Sequence, residues 1–308
     1  MELAEIMSIL RVVKYPEGFL DKLYKTVHMN TIVSTAWLTE HISDSNLVIA
    51  DTRWVNGDLN GGGRLYKEGH LPGAIFLDVD TVLADRTDLT RGRHPLPDPE
   101  TFVRKLADSG IGRDSFIVAY DDANGSVAAR LWWMMRWLGV NNAVVLDGGI
   151  QKWKAEGRPI EAGEGRKPER HPAPLPPAIN QSLFVEMKNL EADRNSRLLI
   201  DARAGERYRG EVEPIDKRAG HIPGAININF KDNLADGNTP VFRDATELRA
   251  LYGRAGIDNY KEVVCYCGSG VTACHDLLAL SIAGFETAKL YPGSWSEWIC
   301  HHEAEVSA

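Results

Sequence analysis

Gly69-His70-Leu71-Pro72-Gly73-Ala74-Ile75 returns in the second half of the chain as Gly220-His221-Ile222-Pro223-Gly224-Ala225-Ile226. Working outward from this pair, further landmarks recur in the same order. Upstream, Leu47-Val48-Ile49-Ala50 runs into Asp51-Thr52-Arg53, and Leu198-Leu199-Ile200 runs into Asp201-Ala202-Arg203. Downstream, Gly110-Ile111 and Ile117-Val118-Ala119-Tyr120 answer Gly256-Ile257 and Val263-Val264-Cys265-Tyr266. Asp147-Gly148-Gly149 with Trp153 answers Pro292-Gly293-Ser294 with Trp298. Residues 46–153 and 197–298 are therefore a tandem duplication.

Within each copy, short Val/Ile/Leu runs alternate with helical patterns. Runs that are apolar on both faces imply parallel strands covered by helices, so the chain is predicted to be α/β. The clearest predicted helices are residues 128–138 and 271–283, each beginning soon after a strand and ending at Gly139 or Gly284. Trp132, Trp133 and Trp137 fall at helical spacing in an apolar segment and read as core. The expected organisation is an extension over residues 1–28, a first domain over 29–157, a Pro-rich linker over 158–180 and a second domain over 181–303. Gly61-Gly62-Gly63 lacks the Lys-Ser/Thr that follows a phosphate loop and reads as a flexible insertion.

Composition narrows the function. The 308 residues hold 35 Lys+Arg against 43 Asp+Glu, a net charge of -8 that opposes binding to nucleic acid or an anionic membrane surface. Four cysteines, three of them within residues 265–274, make no secreted disulfide framework and suit the cytoplasm. Residues 1–28 contain no uninterrupted apolar stretch of the kind a secretory signal needs.

The chemistry gathers at the end of one strand. Cys267 directly follows the predicted strand at 262–266, where open parallel sheets bind ligands. Gly268, Ser269 and Gly270 then allow successive backbone N–H groups to turn inward ahead of a helix N-terminus, an arrangement suited to a sulfur anion. Cys265 lies inside the strand and Cys274 inside the helix, and both read as packing residues. Cys300 beside His301 and His302 lacks the paired spacing of a zinc site. The first copy carries Asp121 where the thiol would stand, in a loop one residue longer (Tyr120 to Ser126), so only the second copy is expected to be catalytic. His70 and His221 occur in both copies and read as structural. A phosphatase of the cradle-loop kind would need arginine six residues after the cysteine, and position 273 is Ala.

The loop CGSGVTAC at 267–274, the twin GHxPGA motifs, Glu206-Arg207-Tyr208-Arg209-Gly210 and the ending GSWSEW resemble the tandem-domain rhodaneses, in particular the mercaptopyruvate sulfurtransferase branch. The resemblance spans about residues 30–303. It implies two domains, each a five-stranded parallel sheet between helices, with the active site in the cleft between them. It implies that Cys267 becomes a persulfide and that Arg207 holds the anionic end of the donor, with Gly268, Gly270, Val271 and Thr272 completing the cradle. Ser269, with His94 of RGRHPLP and Asp80 of FLDVD, matches a hydrolase-like relay. No metal or organic cofactor is implied. The expected partners are a small sulfur donor, a thiol or cyanide acceptor and a thioredoxin-like reductant. The sequence departs from the branch after Glu213-Pro214, where Ile215 and Asp216 stand in place of a second substrate arginine; Lys217 and Arg218 are the nearby candidates. The rival readings are a thiosulfate sulfurtransferase and a non-catalytic sulfur-sensing scaffold.

Overall fold

The computed structural model describes residues 31–165, 172–173, 175–176, 178–260 and 262–302. The expected extension over 1–28 lies outside the described residues, as do residue 303 and part of 158–180.

Two parallel sheets account for the repeated landmarks. In the first, β1 (Ile32–Val33), β2 (Leu47–Asp51), β3 (Ile75–Phe76), β4 (Phe116–Tyr120) and β5 (Ala143–Leu146) stand in the order β1-β5-β4-β2-β3. In the second, β6 (Leu198–Asp201), β7 (Ile226–Asn227), β8 (Val263–Tyr266) and β9 (Lys289–Leu290) stand in the order β7-β6-β8-β9. This sheet has four strands where five were expected. A single parallel bridge between Phe184 and Leu290 takes the place that β1 occupies beside β5. Val185 N–H still donates to Leu290 O at 2.8 Å, but the short turn Gln181–Leu183 precedes Phe184 and leaves no length for a strand.

In both domains the GHxPGA motif is tied to the ends of two neighbouring strands, β2 and β4 in the first and β6 and β8 in the second. Arg53 forks Asp51 and donates to Gly69 O at 2.8 Å, while Leu71 N–H donates to Tyr120 Oη at 3.1 Å. Arg203 forks Asp201 and donates to Gly220 O at 2.6 Å, and Ile222 N–H donates to Tyr266 Oη at 3.1 Å. His70 stacks on Tyr66 and His221 on Tyr208, each at 4.0 Å between ring centroids. Identical surroundings in both copies fit the structural reading of the two histidines.

Helices Ala128–Trp137 and Ala273–Ile282 follow β4 and β8 and pack against each other across the domain boundary. Trp132, Trp133 and Trp137 are buried in the core that both domains share. Burying several such side chains, each contributing about 1.5–3 kcal/mol, ties the domains into one unit. Gly61-Gly62-Gly63 is not a flexible insertion. It forms the first turn of helix Gly61–Glu68, and a Cβ on Gly62 would run into Arg53 O, so glycine is needed for the backbones to approach.

Candidate active site

The second helix begins at Ala273, two residues later than its apolar pattern suggests, because residues 267–272 form a separate turn beyond β8. Cys267 stands first in that turn, buried, and Gly270 N–H donates to its Sγ at 3.1 Å. The N–H groups of Gly268, Ser269, Val271 and Thr272 have no protein acceptor among the described residues. Gly270 has φ +76°, and a Cβ there would meet Pro292 O, so the turn needs glycine at this point.

The GSWSEW segment clamps the turn from behind. Cys267 N–H donates to Ser294 Oγ at 3.1 Å, Trp295 N–H to Cys267 O at 3.0 Å and Ser296 N–H to Gly268 O at 2.9 Å. Ser294 adopts φ +54°, a conformation uncommon outside glycine, and is fully buried. Its hydroxyl spans Tyr291 O and Cys267 N, which holds this strained corner in place.

The first domain completes the site. His94 Nδ1 lies 2.8 Å from Ser269 Oγ, and His94 Nε2 lies 3.2 Å from Asp80 Oδ1. The carboxylate can only accept, so Nε2 carries a proton toward Asp80 and Nδ1 is left to accept from the Ser269 hydroxyl. Burial lowers the His94 pKa, an effect that the Asp80 carboxylate opposes, and the ring is neutral near pH 7. For Asp80, burial acts upward, but hydrogen bonds from His94 and Trp54 and the charge of Arg86 bring the carboxyl down to about 2. Trp54 Nε1 donates to Asp80 Oδ2 at 2.8 Å, and Arg86 donates to Oδ1 at 2.6 Å. The structure thus brings together Asp80, His94, Ser269 and Cys267, residues drawn from both domains.

Two arginines at the site have no counterpart in the sequence reading. Arg130 is fully buried and donates to Gly270 O at 3.0 Å, His94 O at 3.1 Å and Leu83 O at 3.4 Å, which fixes the histidine loop against the cysteine turn. Arg93 lies over Gly268 and pairs with Asp216 at 3.4 Å. Arg207 is also present, with its guanidinium on Glu213 at 2.7 Å and Asp216 at 3.2 Å. Of the two cations named as candidates near Asp216, Arg218 donates to His302 O at 2.9 Å. A position next to His94 was the available signal for Arg93, and an arginine within an apolar helix was the signal for Arg130.

Of the other thiols, Cys265 and Cys274 are fully buried and Cys300 is exposed. Burial raises the Cys265 thiol pKa, and it pushes Cys274 up to about 12, with Arg130 opposing. Cys300 donates to Ser296 O at 3.3 Å.

Comparison with known proteins agrees with this architecture. A family profile described as "Rhodanese-like domain" matches residues 34–156 and again 185–300. The chain is 44% identical over 275 residues to a Pseudomonas aeruginosa protein named "Probable 3-mercaptopyruvate sulfurtransferase", covering 87% of this chain and 94% of the relative. It is 33% identical over 280 residues to the thiosulfate sulfurtransferase of Rattus norvegicus, covering 87% and 91%. A 3-mercaptopyruvate sulfurtransferase structure from Escherichia coli superposes with a TM-score of 0.74 at 33% identity, covering 86% of this chain and 99% of the other.

Proposed function

Because the chain belongs to the rhodanese-like domain family, we propose that this sulfurtransferase takes the thiol sulfur of 3-mercaptopyruvate onto Cys267 as sulfane sulfur and passes it to a thiol or to cyanide. The observation that carries the reading is the turn at 267–272. There one thiol accepts the N–H of Gly270, four neighbouring N–H groups have no protein acceptor among the described residues, and Ser269 of the same turn pairs with His94.

The first half-reaction balances as follows. Ser269 Oγ takes the Cys267 proton as it gives its own to His94 Nδ1, and Asp80 steadies the resulting imidazolium. The thiolate attacks the donor sulfur, the new S–S bond forms and the donor C–S bond breaks. The electron pair left on carbon gives the pyruvate enolate, to which Ser269 and His94 return the proton. In the second half, the acceptor thiolate or cyanide attacks the outer sulfur, and the S–S pair returns to Cys267. The N–H groups of the turn hold the negative charge on sulfur at each stage. A thioredoxin-like dithiol is a suitable acceptor. Four free cysteines fit a reducing compartment such as the cytoplasm. Among the described residues, no helix is long and apolar enough to cross a membrane.

The donor follows from charge. Thiosulfate is a compact dianion that benefits from unpaired cations beside the reacting sulfur, whereas positions 268 and 269 are uncharged and the neighbouring Arg93 and Arg207 are paired with Asp216 and Glu213. Mercaptopyruvate offers one carboxylate to an arginine and a carbonyl to the N–H groups of the turn that have no protein acceptor among the described residues. A donor panel tests this by measuring pyruvate release from mercaptopyruvate against thiocyanate formed from thiosulfate and cyanide. The expected result is a higher kcat/KM for mercaptopyruvate, and a preference for thiosulfate would overturn the donor assignment.

A further inference from the structure

Among the described residues, three arginines are at most 3% exposed: Arg53, Arg130 and Arg203. Two of them are buried together with a counterion, Arg53 on Asp51 and Arg203 on Asp201, each at 2.6 Å. Arg130 is the exception. It makes no ion pair among the described residues. Its Nη groups donate to the carbonyl oxygens of Gly270, His94 and Leu83, its guanidinium carbon lies 5.9 Å from the Trp133 ring centroid, and its Nε–H has no acceptor among the described residues. A buried cation surrounded only by neutral dipoles is costly to keep, so its location calls for a reason.

That location is the cysteine turn. Arg130 Nη1 donates to Gly270 O at 3.0 Å, and Gly270 N–H donates to Cys267 Sγ at 3.1 Å, so a single residue stands between the guanidinium and the reacting sulfur. The carbonyl that Arg130 holds belongs to the same peptide unit as the N–H of Val271, which has no protein acceptor among the described residues. In a trans peptide the C=O and N–H point in opposite directions, so pinning Gly270 O on Arg130 turns the Val271 N–H away from the guanidinium. A charged donor on the oxygen also polarises the unit and strengthens its N–H. Cys274 shares this carbonyl, its Sγ donating to Gly270 O at 3.4 Å.

The other cations near Cys267 are already neutralised. Arg93 pairs with Asp216 at 3.4 Å, and Arg207 with Glu213 at 2.7 Å and Asp216 at 3.2 Å. Cys265 and Cys274 stay protonated, since burial raises the pKa of both thiols. His94 lies 3.2 Å from Asp80 and also feels the charges of Arg130 and Arg93. Burial lowers the Arg130 pKa, and the groups that oppose it are the thiols of Cys274 and Cys267. The guanidinium remains charged.

We propose that Arg130 is a positioning residue of the first domain. It supplies the uncompensated positive charge for the sulfur anion of Cys267, as thiolate and as persulfide, and holds the Gly270–Val271 peptide with its N–H turned to that anion. This rests on the reading of Cys267 as the nucleophile and identifies the charge that balances it.

The test needs no sulfur donor. Alkylation of Cys267 by iodoacetamide, mapped by mass spectrometry, is followed against pH in the full chain for the wild type, Arg130→Gln, Arg130→Met and Arg130→Lys. Gln keeps hydrogen bonding without charge, Met keeps only apolar bulk, and Lys keeps the charge without the fork. Removing a cation disfavours a neighbouring thiolate, so the midpoint of the profile is expected to rise by about one pH unit in Arg130→Gln and Arg130→Met. Arg130→Lys should stay near the wild type. The acid limb of sulfur transfer should rise in the neutral variants too, because His94 loses the repulsion of the same charge. Unchanged midpoints in the neutral variants would overturn the proposal. So would equal displacement in Arg130→Lys and Arg130→Gln, since loss of the hydrogen-bonded fork would then explain the effect without charge. Where Arg130→Gln does not fold, Arg130→Met carries the same comparison. A wild type that shows these shifts and transfers no sulfur would sink the sulfurtransferase reading and leave the charge assignment standing.

Discussion

The two domains place the same turn at the end of the same strand and fill it differently. After β4, Asp121 points its carboxylate into its own turn, where Oδ1 accepts from the N–H groups of Ala123 and Gly125 and Oδ2 from those of Val127 and Ala128, all within 2.7–2.8 Å. After β8, Cys267 stands at that position, and its Sγ takes one N–H, from Gly270. A carboxylate has two oxygens that can satisfy four donors at once, so the first turn is closed by its own side chain. A thiol is smaller and leaves neighbouring donors for a substrate or a persulfide. One fold thus yields a self-capped turn that stabilises and an open turn that can hold a reacting anion.

Breaking each turn in its own way should separate these roles. The largest effect is expected for Cys267→Ser, with sulfur transfer falling by roughly 10³-fold or more and little change in Tm. Cys265→Ser, Cys274→Ser and Cys300→Ser should each retain most of the activity, and turnover surviving in Cys267→Ser would end the assignment. Asp121→Ala should do the opposite. It strips the acceptor from four N–H groups and should cost about 3 kcal/mol of stability, read by chemical denaturation. An unchanged midpoint would show that the carboxylate does not close the turn.

Two smaller effects sharpen the comparison on the open side. Ser269→Lys adds a cation to a neutral turn. At ~4 Å and an effective dielectric of ~20, unit charges attract by ~4 kcal/mol, so even a well-screened charge should shift the donor ratio about tenfold toward thiosulfate. The smallest effect lies on the pH axis. His94 must be neutral to accept from Ser269, and burial holds its pKa below the ordinary ~6.5. Activity should therefore persist below that pH and fall as His94 protonates. In Asp80→Asn, which removes the charge that raises the His94 pKa, the acid limb should move further to acid. A limb above pH ~6.5, or one that does not move, would exclude His94 as the titrating group.

The duplication, the α/β class and the position of Cys267 were legible because each is local: a repeated motif, a strand pattern, a small-residue turn before a helix. Asp80, His94 and Ser269 came from family resemblance, since contacts across 175 positions, as between His94 and Ser269, leave no mark in periodicity or spacing. The same distance concealed Arg93, whose partners Asp216 and Ser296 lie in the other domain, and Arg130, which reaches Gly270 across the domain boundary as well as Leu83 and His94 in its own domain. The missing fifth strand and the helix at Gly61–Glu68 were misjudged for another reason. A strand reduced to one bridge at Phe184 and a glycine run buried against Arg53 are settled by tertiary contact, which overrides local propensity.

On this reading the open turn carries sulfur and the self-capped turn does not. Intact-mass spectra of the wild type and of Cys267→Ser, taken after treatment with mercaptopyruvate and removal of the donor, test it most directly. One added sulfur on the wild type, mapped to Cys267 and absent from Cys267→Ser, is the predicted result. An added sulfur that remains in Cys267→Ser, or that maps to Cys265, Cys274 or Cys300 while turnover continues, would contradict it.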